Sequence, residues 1–332
     1  MTMYNEFFGL RESPFSLNPD PRYFFLTPAM QEALAGLAYG IQRQRGIVVL
    51  TGEVGTGKTT LLNQLMDWLR QNRAATTFIF NTRLSVEDLF DYMLSDFGRS
   101  CEPRAKSDTI RLNNWLLDRH VPVDREPAVL IVDEAQTLTL ESLKEIRLLT
   151  NLETSSEKLL QIVLSGQPEL ELKLRDPRLG PLRRRITLRC RTQPLLASET
   201  RNYIEERLHI AGANGDLVFS REAIESIHHH ARGVPRVVNV LCDHALTRAF
   251  AARQKPVSAA LVHDVARELE LDLMAPMAAV ASTESEQTGA LFQPMFAATA
   301  MAARSFAPKE SLLTDFAKQP YPGGSSVPAR VE

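Results

Sequence analysis

The sequence predicts an α/β fold: a mostly parallel sheet with helices on both faces, then a small all-helical part and a disordered tail. Three observations predict it. Between residues 46 and 192, five short apolar runs alternate with longer stretches of helical spacing. From Ser198 to about Leu273 the strand signal stops and only helical periodicity continues. After Met274 the periodicity gives way to Ala, Ser, Thr, Gln, Gly and Pro. The expected division is an N-terminal segment packed on the core (1–45), a sheet domain (46–192), a helical domain (193–272) and the tail (273–332).

Each element has a local reason. Phe7-Phe8-Gly9-Leu10 opens the chain, and Pro14, Pro19 and Pro21 then forbid a helix between Ser13 and Phe25. Thr27 is an N-cap with Pro28 at the first helical position, which predicts a helix to about Arg45. The strand candidates are Ile47–Thr51, Thr76–Phe80, Val129–Val132, Leu160–Leu164 and Ile186–Cys190. The continuous apolar run Ala128–Val132 suits a parallel strand buried on both faces. Helices are expected at Thr59–Arg70, Val86–Phe97, Ser107–Arg119, Leu140–Glu153 and Pro168–Leu174. The helical part reads as Ser198–Ala211, Ser220–Ala231, Pro235–Arg253 and a shorter Ser258–Leu271.

Gly52-Glu53-Val54-Gly55-Thr56-Gly57-Lys58-Thr59-Thr60 lies between the first strand and an amphipathic helix, the context a phosphate-binding P-loop needs. The glycines let the backbone wrap tightly and aim N–H groups at phosphate oxygens. Lys58 can reach the β- and γ-phosphates, and the Thr59 hydroxyl can ligate Mg²⁺. Asp133-Glu134 ends the apolar run Ala128–Val132, so Asp133 can help hold Mg²⁺ and Glu134 can polarise a water for attack on the γ-phosphate. Nucleotide hydrolysis, rather than binding alone, is therefore expected.

Composition narrows the classes. A formal charge of −2 with 23% charged residues argues against bulk attraction to nucleic acid or anionic membrane. Cys101, Cys190 and Cys242 are widely spaced without a C-x-x-C pair, which fits a reducing cytoplasm and neither a disulfide framework nor a zinc site. Met1–Leu10 has no cationic stretch before an apolar one, so a signal peptide is not expected, and no run approaches the ~18 apolar residues of a membrane span. His228-His229-His230 cannot converge on one ion, because successive helical side chains point about 100° apart.

Several strings carry a family resemblance. They are Phe8-Gly9-Leu10 with Pro14-Phe15, Pro19-Asp20-Pro21-Arg22-Tyr23, the P-loop, Asp133-Glu134-Ala135-Gln136 and the stretch from Ile146 to Glu153. The stretches Leu164 to Leu170 and Gly233 to Asn239 complete the set. With these residues the chain resembles the AAA+ ATPases, a P-loop sheet domain followed by a helical lid. Within them it resembles the general secretion pathway protein A (ExeA-type) family over about residues 3–270. The resemblance implies ATP with Mg²⁺, homo-oligomers, and a partner complex of the secretion, pilus or polysaccharide-export type. It also implies a cytoplasmic place, with attachment at the inner membrane through a partner. Secretion members often carry a membrane span and a periplasmic region after the ATPase domain; this sequence shows neither, which puts membrane and peptidoglycan roles in doubt.

The resemblance further implies roles for three residues. Gln167 resembles sensor 1, a polar group that helps orient the attacking water. Arg236, in Gly-x-Pro-Arg, resembles sensor 2, a lid cation that reaches the γ-phosphate. Of Arg183-Arg184-Arg185, Arg185 first and Arg184 second are expected to act as an arginine finger in trans, on a neighbouring subunit's nucleotide. Eight cations lie between Leu172 and Arg191 against one anion, Asp176, which leaves a DNA-acting ATPase as the alternative. An ATP-gated scaffold with little turnover is a further alternative, opposed by the intact Glu134. For the base, Tyr23 to Phe25 with Ile41 could form apolar walls or could simply pack between domains.

Overall fold

The computed structural model describes residues 4–18, 20–80, 85–97, 108–120, 127–154, 157–213 and 217–271. The expected disordered tail (273–332) and Cys101 lie outside the described residues. By internal packing the chain divides into two compact units, residues 1–263 and 264–332. Sheet and helical part, up to His263, belong to the first. Of the second, the described residues 264–271 form a helix end in which Arg267 pairs with Asp264 at 3.3 Å.

The strands are β1 (Ile47–Thr51), β2 (Ala75–Ile79), β3 (Ala128–Val132), β4 (Leu160–Gly166) and β5 (Ile186–Arg191). They form one parallel sheet in the order β2-β3-β4-β1-β5. Every residue of β1, β3 and β4 is buried, as suits central strands, and the polar Gln161 and Ser165 of β4 find partners in the Gly46 N–H and Asp133. The helices before and between the strands are α1 (Asn5–Phe8), α2 (Pro28–Gln42), α3 (Lys58–Gln71), α4 (Val86–Asp96), α5 (Asp108–His120), α6 (Leu140–Leu149), α7 (Pro168–Leu174) and α8 (Gly180–Arg183). The helical part follows as α9 (Ala197–Ile210), α10 (Arg221–Ala231), α11 (Pro235–Ala251) and α12 (Ala259–Glu268). After β1 the chain crosses over β4 and β3 to reach the far edge, so the carboxyl end of β1 lies at a switch in strand order, where ligands of open α/β sheets bind.

Three expectations are corrected locally. The prolines between Ser13 and Phe25 do not exclude all helix: Pro21–Tyr23 is one 3-10 turn capped by Asp20, with Pro21 at its start, where a missing N–H costs nothing. The helix begun by the Thr27 cap ends at Gln42 rather than Arg45, because Gln44 takes φ +50° and Arg45 N–H turns back to the Gly40 carbonyl at 3.1 Å. α6 ends at Leu149 rather than Glu153. There the Thr150 hydroxyl bonds the Arg147 carbonyl at 2.6 Å and the chain folds into a hairpin, with Leu159 N–H on the Leu152 carbonyl at 3.0 Å.

The N-terminal segment, expected to pack on the core as a whole, divides its contacts. α2 packs on β5 and β1. The residues before it dock on the helical part instead. Arg11 N–H bonds the Ala211 carbonyl at 2.8 Å, Arg207 Nε donates to the Pro14 carbonyl at 2.7 Å, and Phe15 meets Phe219 edge to face.

Candidate functional site

The loop from Gly52 to Gly57 joins the buried β1 to α3, and packing explains its glycines. A Cβ on Gly52 would sit 1.9 Å from the Thr192 hydroxyl oxygen and 3.0 Å from that of Thr56. Gly55 and Gly57 hold φ of +80° and +95°, a region costly to other residues. The Thr56 hydroxyl clamps the loop, lying 2.7 Å from both the Glu53 carbonyl and the Thr192 hydroxyl. Lys58 folds inward at the start of α3 and donates to the Gly52 and Glu53 carbonyls at 2.8 and 2.9 Å. Its burial pushes the ammonium below its ordinary pKa, with the charges of Glu134 and then Asp133 pulling the other way. The backbone of Glu53 thus serves the loop, while Val54 is an exposed tip and Thr60 lies half-buried in the first turn of α3.

The acidic pair stands opposite. Asp133 ends β3 and is buried. One of its oxygens accepts the Thr59 hydroxyl at 3.1 Å; the other accepts the Ser165 hydroxyl at 2.8 Å and the Glu134 N–H at 3.0 Å. Glu134 sits at φ +52°, a left-handed conformation that turns the chain sharply out of the strand. Its carboxylate accepts from the amides of Gln136 and of Gln167, the latter at 3.1 Å. Gln167, the first residue after β4, is thereby brought to Glu134 from a separate strand.

The backbone of Arg236 meets the loop from the helical part. Its N–H meets the Gly55 carbonyl at 3.3 Å, and a Cβ on Gly55 would lie 2.8 Å from the Cβ of Arg236. Gly233, at φ +71°, makes the approach possible, since a Cβ there would lie 2.1 Å from the Leu195 carbonyl oxygen. The structure therefore brings Gly52, Lys58, Thr59, Asp133, Glu134 and Gln167 together at the carboxyl end of the sheet, with the backbone of Arg236 on the loop at Gly55.

Arg185 is not among them. It precedes β5 at the opposite edge of the sheet, where its guanidinium donates to the Thr150 hydroxyl at 2.8 Å and the Thr150 carbonyl at 3.3 Å. Arg183 and Arg184 beside it are exposed. The residues considered for the base are held by packing. Ile41 is buried in the core, Tyr23 donates to Glu12 at 2.9 Å, and Phe25 packs edge to face on Tyr203. In the histidine tract, His228 bonds Thr200 and His230 bonds His263, each at 2.8 Å.

Sequence reasoning missed Ser165, Thr192, Gln136 and Lys173. A hydroxyl inside the apolar run of β4 was the available signal for Ser165, since a buried polar group must find a partner. Thr192 and Lys173 act through residues far away in sequence and leave no local pattern.

The family model described as an AAA domain matches residues 41–174. General secretion pathway protein A of Aeromonas hydrophila is 41% identical over 252 residues, which are 75% of this chain and 45% of that protein. The chain thus spans less than half of that relative's length. Among solved structures, the ORC2 protein of Aeropyrum pernix in its ADPNP-ADP complexes aligns with TM-score 0.56 at 17% identity, over 77% of this chain and 71% of that one. Cdc6p of Pyrobaculum aerophilum aligns with TM-score 0.57 at 18% identity, over 80% and 74%. At such identities these two show the fold alone. Motifs, fold and sequence identity agree, and the chain belongs to the AAA+ ATPases of the general secretion pathway protein A (ExeA-type) family.

Proposed function

We propose that the chain binds Mg-ATP and hydrolyses its β–γ phosphoanhydride as an oligomer, driving or licensing assembly of a partner complex. One observation supports the chemistry: Lys58 and Thr59 of α3, Asp133 and Glu134 after β3, and Gln167 after β4 meet at the carboxyl end of the sheet, where the start of α11 sets Arg236 on the loop. The loop N–H groups and Lys58 bind the phosphates, Lys58 exchanging its two backbone carbonyls for phosphate oxygens. The hydroxyl of Thr59 and the carboxylate of Asp133, 3.1 Å apart, are hard oxygen donors that fit Mg²⁺. When bound, that ion supplies charge neutralisation at the β- and γ-phosphate oxygens. Glu134 accepts the proton of the attacking water as its oxygen bonds to the γ-phosphorus and the bridging P–O bond breaks. Gln167 orients that water, and Arg236 links the angle of the helical part to the γ-phosphate.

Because Arg185 is tied to Thr150 in its own chain, the trans finger falls to the exposed Arg184, with Arg185 fixing the turn that presents it. The relative's place in a general secretion pathway favours a secretion, pilus or export complex as the partner. ATPase rate per protomer, measured against protein concentration for wild type and Glu134→Gln, tests the reading. A rate that climbs with concentration and is lost in the variant supports it. A flat rate removes the shared site, and a variant as fast as wild type removes Glu134 as base.

The DNA-acting reading keeps one support, the exposed Arg175, Arg183, Arg184 and Arg191. Four of the eight cations in that run are spent inside the chain, Arg178 on Asp176, Arg189 on Glu171, Lys173 on backbone and Arg185 on Thr150. Duplex binding that weakens steeply with salt would promote this reading.

A further inference from the structure

Gln136 touches both Glu134 and the chain leaving β4. Its Nε2 donates to Glu134 Oε2, and its Oε1 accepts the Gln167 N–H at 3.1 Å. Both ends of one amide are thus committed in opposite senses, which fixes its flip. The Gln167 side-chain amide reaches the same carboxylate oxygen at 3.1 Å, so two amides from different strand ends converge on Glu134 Oε2. The fold makes room for this. A Cβ on Gly166 would lie 2.7 Å from Gln136 Oε1 and 3.0 Å from the Leu170 side chain, so the glycine at the end of β4 leaves the space that the Gln136 amide occupies. From behind, Lys173 of α7 donates to the carbonyls of Gln136 at 2.5 Å and Leu138 at 2.7 Å, pinning the 3-10 turn Ala135–Thr137.

Without these bonds the side chain of a glutamate held at a left-handed φ would sample several rotamers. We propose that Gln136 is a positioning residue for hydrolysis: it sets the orientation of the Glu134 carboxylate and couples it to Gln167 and, through Lys173, to α7. The general base then moves only together with the β4–α7 segment, which leads on to the arginine run. This rests on the reading of Glu134 as general base.

The test uses full-length Gln136→Met, which removes both bonds at similar volume, and Gln136→Glu, which keeps the acceptor for the Gln167 N–H but sets a second carboxylate against Glu134. Each is compared with wild type and Glu134→Gln for kcat, KM, affinity for a fluorescent ATP analogue, and melting temperature. The expected result is a kcat lowered by about 10- to 100-fold in both variants, since misplacing a reacting group by an ångström has that scale. ATP affinity and melting temperature should stay near wild type, and Gln136→Glu should lose at least as much rate as Gln136→Met. A positional role shows in that split, because a merely structural one would lower affinity and melting temperature together with rate.

Wild-type kcat in both Gln136 variants while Glu134→Gln is inactive would overturn the proposal alone. Loss of rate in Gln136→Met only, with Gln136→Glu active, would do the same by leaving the backbone bond as the sole role. A fully active Glu134→Gln would overturn the reading of the base and this proposal with it.

Discussion

The two edges of the sheet each bind a cation through backbone carbonyls, to different ends. At the carboxyl edge Lys58, 6% exposed, sits on the Gly52 and Glu53 carbonyls with Asp133 and Glu134 nearby. At the amino edge the half-buried Arg185 sits on Thr150, whose carbonyl also takes Lys158 at 2.9 Å. Thr150 is the C-cap of α6, so those cations answer the permanent negative end of a helix. The carbonyls under Lys58 belong to a glycine loop beside a helix N-terminus, where an anion is the better partner. In the proposed function Lys58 exchanges these carbonyls for phosphate, whereas Arg185 keeps its helix end. The strand separates them: Ile186 pairs with Ile47 at the start of β1, while the loop begins after Thr51. Five residues at about 3.3 Å each exceed an arginine's reach, so Arg185 does not reach the loop of its own chain.

The strongest way to break the contrast is to remove each cation. Lys58→Ala should lower kcat/KM by at least about 10²–10³, the scale for losing a charge-stabilising group at a reacting centre, and should erase the rise in melting temperature that ATP gives wild type. Survival of both would mean that Lys58 is as structural as Arg185. Next comes the pair at the other edge. Arg184→Ala should cost about 10³ or more in rate if it acts as a finger, with unchanged stability of the protomer. Arg185→Ala should instead cost about 1 kcal/mol of stability, since Lys158 still satisfies the Thr150 carbonyl. The reverse pattern, read by turnover and thermal melts, would return the finger to Arg185.

The carboxyl edge was largely legible in the sequence and the amino edge was not. Gly52, Lys58, Thr59, Asp133 and Glu134 are read from short strings because the chemistry imposes fixed local spacing. The strand runs were legible because central parallel strands are mostly apolar, and only their ends moved by a residue or two, as at Ala75 and Gly166. Arg185 looked like its two neighbours, because its partner Thr150 is 35 residues away and its bond depends on how α6 ends. The N-terminal segment was misjudged in part for the same reason. Its aromatics announced packing, but nothing local distinguished the sheet from α9 and α11 as the surface they pack on.

Glycines offer smaller and sharper tests of the same contrast. Gly52→Ala at the carboxyl edge forces its methyl into Thr192, so it should cost about 1–3 kcal/mol and weaken ATP binding as the loop shifts.

Gly46 at the amino edge differs in kind. It takes φ +89° just before β1, yet a Cβ there meets nothing within 4 Å. Its N–H is bonded to Gln161 Oε1 at 2.9 Å, an interaction that alanine keeps. Gly46→Ala therefore carries only left-handed strain, about 1–2 kcal/mol less the entropy that alanine removes from the unfolded chain. The net effect should be a melting temperature lowered by a few degrees, with ATP affinity and kcat at wild-type values. A loss of ATP affinity in Gly46→Ala would mean that strain at the amino edge travels along β1 to the loop, and the two edges would then be one coupled device.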